Sequence, residues 1–241
     1  MKKDINLQGF RVDLKSFQEA LDYTFESIKE GKNIQIVTIN PEMIQFGKKN
    51  SDFKKILDEA ELIVPDGVGI KIAIKLKGIN QEQIPGVDFS KELIKLSEKY
   101  NLKIGFLGAK QEVLDKMLEK FKEEFPNLNV VYAQNGYFND KNTVLEEIKN
   151  AQPQILLTAL GSPKQEEINY KLKEMLQGCA TIGVGGSFDV FAGYVERAPK
   201  IWQKMGLEWL YRTIKQPQRF KRIFPTLPLF LFASIIDSVK K

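Results

Sequence analysis

The chain has 241 residues, no histidine and one cysteine, Cys179. Without histidine, Ser-His-Asp and Cys-His catalysis and the usual zinc sites are excluded, so any general base is a carboxylate, or failing that a Lys or Tyr. The net charge is +5, but residues 196–241 hold ten Lys/Arg against three acids, a local +7 that leaves −2 for the first 195.

That asymmetry puts the search for an anionic partner in the tail. A single cysteine permits no intrachain disulfide and fits a reducing cytoplasm. Hydrophobic residues at 43% and charged ones at 28% are ordinary for a globular chain. The start, MKKDINLQGF, leads into a polar, amphipathic segment, so no signal peptide is expected.

In chain order, SFQEALDYTFESIKEG (16–31) spaces its apolar residues three and four apart and predicts a helix. IQIVTI (34–39) and AELIVP (60–65) then read as strands, followed by LKIGFLG (102–108). QEVLDKMLEKFKEEF (111–125) reads as a helix, and LNVVYAQ (128–134), QILLTAL (154–160) and CATIGVG (179–185) as further strands. Strand-helix alternation predicts an α/β fold, a mostly parallel sheet flanked by helices. Residues 200–222 form a basic amphipathic stretch. IFPTLPLFLFASII (223–236) is too short to cross a bilayer, for which roughly 20 residues are needed, and Pro225 and Pro228 interrupt its beginning. It suits either a membrane interface or a helix packed on the domain. The expected division is a core over 1–195 and a basic appendage over 196–241.

Polar residues gather where the predicted strands stop: Thr38 and Asn40, Asp66, the segment Gly161-Ser162-Pro163-Lys164-Gln165, and Gly185-Gly186 with Asp189. In an open parallel sheet these ends share one ligand crevice. Taken singly, each has a structural explanation. Asn40 before Pro41 fits an N-cap with proline at N1, Asp66 fits the cap of a helix through Ile70 and Ile74, and Ser162 to Gln165 fits a capping box. Four such segments on one sheet edge point instead to a nucleotide-type site. Gly183 to Asp189 is the sharpest of them, a strand, a glycine turn and a helix start of the kind that accepts phosphate. No P-loop, no G-x-G-x-x-G after the first strand and no Asp-x-Asp pair occurs. A non-catalytic nucleotide-binding protein is a rival reading. Nucleic-acid binding by the tail is disfavoured, because its aromatic residues run into an apolar segment.

These segments occur in a definite order: T-x-N-x-x-M (Thr38 to Met43), PDG-x-G (Pro65 to Gly69), PG-x-D (Pro85 to Asp88), G-x-PKQE (Gly161 to Glu166), GVGG-x-FD-x-FAG (Gly183 to Gly193), RAP (Arg197 to Pro199) and E-W-L-Y-R…P-x-R-F-x-R (Glu208 to Arg222). Over nearly its whole length the chain resembles the WecG/TagA/CpsF glycosyltransferases. The resemblance implies a Rossmann-like, inverting transferase that needs no metal and no cofactor beyond its UDP-sugar donor. Its most similar branch moves N-acetylmannosamine from UDP-N-acetylmannosamine to undecaprenyl-diphosphate-linked N-acetylglucosamine, in wall teichoic acid linkage-unit synthesis. The resemblance also implies a tail that docks on the cytoplasmic face of the membrane and completes the active site. It leaves open a homo-oligomer, and a different UDP-sugar such as the uronic acid of N-acetylmannosamine or glucose. On the matching positions, it makes Asp66 the general base and sets Thr38 and Asn40 in the sugar pocket with Gln165 across it. Gly161, Lys164, Gly185, Gly186 and Asp189 fall on the UDP side, and Arg212, Arg219 and Arg222 meet diphosphate. The chain departs from the family's E-R-[VI]-x-G-x-D at Gln83, where an arginine is usual.

Overall fold

The computed structural model describes residues 3–204, 208–215 and 220–239. A hairpin of β1 (Asp4–Leu7) and β2 (Phe10–Asp13) opens the chain and was not foreseen in the sequence. Its turn residues, Gln8 and Gly9, both have positive φ, the geometry that suits two-residue hairpin loops. Ile5, Leu7, Phe10 and Val12 alternate inward and are buried.

The α/β core follows as the sequence predicts: α1 (Phe17–Lys29), β3 (Ile34–Ile39), α2 (Pro41–Gly47), α3 (Ser51–Asp58), β4 (Leu62–Pro65), α4 (Gly67–Leu76), α5 (Gly86–Lys99), β5 (Ile104–Gly108), α6 (Gln111–Glu124), β6 (Val130–Gln134), α7 (Lys141–Ala151), β7 (Ile155–Ala159), α8 (Lys164–Lys173), β8 (Ala180–Gly183) and α9 (Ser187–Ala192). The C-terminal part forms α10 (Lys200–Lys204), α11 (Glu208–Lys215) and α12 (Phe220–Val239). Strands β3 to β8 make one parallel sheet in the order β4-β3-β8-β7-β5-β6. Its inner strands are buried on both faces, which is why they read as unbroken apolar runs rather than alternating ones.

Ile34 and Ile36 of β3 join a cluster with Phe89, Phe106 and Phe188 on one face of the sheet. Val37 and Ile39 join Phe10, Phe53, Ile70 and Phe230 on the other. Phe230 belongs to α12, so the end of the chain contributes to the core. Among the described residues, no helix is long and apolar enough to cross a membrane.

Helix α12 runs through Pro225 and Pro228, which the sequence reading had interrupting this segment. Each proline removes one helical N–H. Packing outweighs that loss: Phe230 is fully buried and Leu227 meets α4, while Leu229 and Phe232 on the other side are exposed. The second alternative, a helix packed on the domain, therefore holds for one face, and the other face is left outward.

Candidate active site

Strand register brings the distant polar segments together. Ile39 of β3 pairs with Pro65 of β4, so Asn40 and Asp66 leave the sheet side by side, and the Asp66 amide donates to the Ile39 carbonyl at 2.9 Å. Thr158 of β7 pairs with Gly183 of β8, which sets the turns at Gly161 and Gly185 next to each other. Between these two pairs of strand ends lies a cleft of about 700 Å³, a size suited to a small-molecule ligand. Thr38, Asn40, Asp66, Gly161, Gln165, Gly185, Gly186 and Asp189 all line it.

Each lining residue has a local reason for its place. Thr38, mostly buried on β3, packs against Gly86, where an added Cβ would lie 3.4 Å from its hydroxyl. Asn40 is the N-cap of α2, its Oδ1 accepting from the Met43 amide at 3.0 Å with Pro41 at the first helical position. Capping therefore occupies the oxygen and leaves the Nδ2 amide as the group offered to a ligand. Asp66 occupies the N-cap position of α4 but makes no side-chain capping bond to it. The carboxylate expected to be a cap does not act as one.

Gln165 binds the two glycine turns to each other. Its Oε1 accepts from the amides of Gly161 and Gly185, each at 3.1 Å, and its Nε2 donates to Glu166 at 2.8 Å. Gly183 is what admits it: a Cβ there would sit 2.4 Å from Nε2. Gln165 thus shapes the cleft by holding backbone, with both ends of its amide engaged. Glu166, next to it, is buried, and burial pushes its pKa from 4.5 up to about 7 against the opposing pull of Gln165 and Ser162.

The capping box expected from Ser162 to Gln165 is not formed. Helix α8 starts at Lys164 with Pro163 at its cap position and no side-chain cap, because the Gln165 side chain turns back to the glycine amides. At the β8 turn, Gly185 has φ +49 and Gly186 φ −77, and nothing but Asp189 at 3.8 Å lies near a Cβ on Gly186. The predicted strand, glycine turn and helix are all present, with Asp189 in the first turn of α9.

Lys164 is not brought into the cleft. Its amine lies 4.4 Å from the centre of the Phe138 ring and 3.4 Å from the Gly136 carbonyl. Arg219 lies outside the described residues, as do the side chains of Arg212 on α11 and Arg222 on α12. The sequence reading missed one whole wall, formed by Glu42, Gln45, Phe46 and Lys49 along and just past α2, and by Thr226 of α12. Spacings of three and four residues from Asn40 onward were the available signal, one face of a helix leaving a strand end. Lys49 is the one cation among the described lining residues, whereas Gln83 is not part of the lining. No cluster of three metal-ligating side chains occurs among the described residues.

Three of the other motifs meet at one arginine. Arg197 of the RAP segment forms a forked pair with Glu208 at 2.9 and 3.1 Å and a contact with Asp88 of PG-x-D. One guanidinium therefore joins core and appendage.

Such a fold and cleft define an α/β protein with a polar cleft at the carboxyl edge of its parallel sheet. Residues 5–241 match the Glycosyl transferase WecG/TagA/CpsF family, and the chain belongs to that family. It is 34% identical over 237 residues to the N-acetylglucosaminyldiphosphoundecaprenol N-acetyl-beta-D-mannosaminyltransferase of Bacillus subtilis (strain 168), covering 98% of this chain and 91% of that protein. A protein of the same name from Bacillus spizizenii is 32% identical over 222 residues, 92% of this chain and 85% of its own.

Proposed function

We propose that this glycosyltransferase moves N-acetylmannosamine from UDP-N-acetylmannosamine to the N-acetylglucosamine of an undecaprenyl-diphosphate lipid, in wall teichoic acid linkage-unit synthesis. Asp66 takes the proton of the acceptor hydroxyl as that oxygen attacks the anomeric carbon. The glycosidic bond forms on the face opposite the departing UDP, which leaves with the bonding electron pair, so configuration inverts. Thr38 and Asn40 hold the sugar, and the glycine turn receives the diphosphate through the Gly186 amide, next to Gly185, whose own amide is held by Gln165. Transfer needs no metal and persists in chelator. The tail keeps the enzyme on the cytoplasmic face of the membrane, and Arg212, Arg219 and Arg222 meet the diphosphate there.

The observation that carries this reading is Asp66, a helix-N-cap carboxylate that does not cap its helix and lines the same cleft as the paired glycine turns. The names of the Bacillus relatives support the choice of sugar and acceptor. Lys49 favours a second donor, a uronic acid, because a cation in the cleft suits a sugar carboxylate as well as a diphosphate. Mass spectrometry of the lipid product from a panel of UDP-sugars decides. A mass increment of one N-acetylhexosamine from UDP-N-acetylmannosamine alone is expected, and a lipid left unmodified by every donor would sink the proposal.

A further inference from the structure

We propose that α4, a helix of the core, docks on an anionic phospholipid surface together with the outer face of α12. The inference rests on the reading that the acceptor is held in a membrane, and it assigns a membrane contact outside the appendage.

Helix α4 has three kinds of side. Ile70 and Ile74 are fully buried, while Gly69 and Lys77, just past its end, meet α12 through Leu227, Phe230 and Asp237. At about 100° per residue, the remaining arc holds Ile72 and Leu76 beside α12 and Lys71 and Lys75 farther round. Ile72 and Leu76 are 39% and 42% exposed, one turn apart, and form an apolar ridge. Lys71 and Lys75 are exposed, have no ion-pair partner among the described residues, and share their helix with no acid.

Across the seam, α12 exposes Leu229 (64%), Phe232 (65%) and Ile236 (46%) at helical spacing, opposite its buried Phe230 and Ser234. Its one acid from 220 to 239, Asp237, is neutralised by Lys77 at 2.8 Å. Apolar ridges rimmed by unpaired lysines fit an acidic lipid interface rather than another protein core.

Position supports the same occupant. Asp66 holds the N-cap position of α4, and α12 reaches the cleft through Thr226. Between α2, α4 and α12 lies a small slot of about 80 Å³, lined by Pro41, Val68, Gly69 and Leu227, which shares Asn40, Glu42 and Thr226 with the cleft wall. A surface lying on these helices therefore sits beside an apolar slot that shares a wall with the cleft, close to where a lipid-held substrate would be presented.

The test is vesicle flotation of the full-length protein, using phosphatidylcholine with and without phosphatidylglycerol. Ile72→Ser/Leu76→Ser and Lys71→Gln/Lys75→Gln are the variants, each checked for an unchanged melting temperature and UDP affinity. Each pair is expected to lower partitioning onto the acidic vesicles about tenfold, and the lysine pair to leave the weak binding to neutral vesicles unchanged. Wild-type partitioning in both folded variants would overturn the assignment, as would a wild-type chain that ignores acidic vesicles. A wild-type dimer that Ile72→Ser/Leu76→Ser dissolves, with vesicle binding intact, would overturn it in favour of a second copy. Transfer to a water-soluble, short-chain GlcNAc-diphosphate acceptor keeps the two readings apart. The variants should retain that transfer, and its absence in wild type would defeat the proposed activity while the flotation result still judged α4.

Discussion

Asp66 stands where a helix cap belongs and makes no side-chain capping bond to α4, and in the proposed mechanism its carboxylate carries the proton transfer. Asp66→Asn is expected to keep UDP affinity and lower turnover by about 10²–10⁴, the range of a general base; near-normal turnover in the folded variant would return it to a structural role. Gly186 offers an equally clean test. Its φ of −77 suits any residue and its Cβ would meet only Asp189 at 3.8 Å, so Gly186→Val should fold and fill the space where the proposed diphosphate would sit. Calorimetry should then show weakened UDP binding, and an unchanged affinity would take this turn out of the site. Glu166 tests the buried layer beneath. A carboxyl whose pKa rises on folding, here from 4.5 to about 7, holds its proton more tightly in the native state. Its protonation favours the fold fully below the unfolded value, and that contribution fades as pH climbs through 7. Glu166→Gln carries no charge at any pH and should lack this part of the slope, so its melting temperature should gain on wild type between about pH 5 and 8. Parallel pH profiles would show that Glu166 is not the group titrating. At this scale the glycines, Asn40 and Asp66 were legible because strand ends and turns announce themselves in sequence. Gln165's grip on two amides was not, since it depends on the register of β7 against β8 and on the missing side chain at Gly183.

All six strands of the sheet were legible as largely apolar runs, the inner ones because they are buried on both faces, while β6 at the edge is partly exposed. The β1-β2 hairpin was not. Its strands have four residues each, and Gln8-Gly9 lacks the usual asparagine or aspartate of such turns. The hairpin matters for the tail. Gln8 donates from its amide to Asp237 at 3.0 Å and from Nε2 to the Phe230 carbonyl at 3.0 Å and the Ser234 hydroxyl at 2.6 Å, so the first element of the chain holds the last. Gly69 completes that seat. A Cβ there would lie 2.7 Å from the Pro41 ring, which cannot swing aside, and 2.8 Å from Leu227. The final glycine of PDG-x-G therefore sets how closely α12 approaches α4 and α2. Gly69→Ala should destabilise the protein by about 1–3 kcal/mol, as overpacking does, and should raise hydrogen exchange in α12 more than in α6. Uniform protection in the variant would mean that α12 is not seated by this contact.

For the molecule as a whole, the division of charge between residues 1–195 and 196–241 looks like a division of labour, yet the packing ties the halves together. Arg197 bridges Asp88 and Glu208, Lys77 pairs with Asp237, and Phe230 lies in the core. Deleting 196–241 would strip those partners as well as the cations, so loss of membrane binding and of turnover in that truncation would not by itself separate anchoring from catalysis. Substituting Arg212, Arg219 and Arg222 together by Gln does separate them. The apolar outer face of α12 and seven of the tail's ten cations remain, and none of the packing contacts named above is touched. If these arginines meet the diphosphate, turnover on the lipid acceptor should fall about 10²-fold or more, as when a charge-stabilising donor is removed, while vesicle binding falls by much less. The salt dependence of that binding should survive, since the remaining lysines still sense an acidic surface. Full turnover in the triple variant, with the protein folded and on the vesicle, would reduce the tail to an anchor and leave the chemistry to Asp66 and the cleft alone.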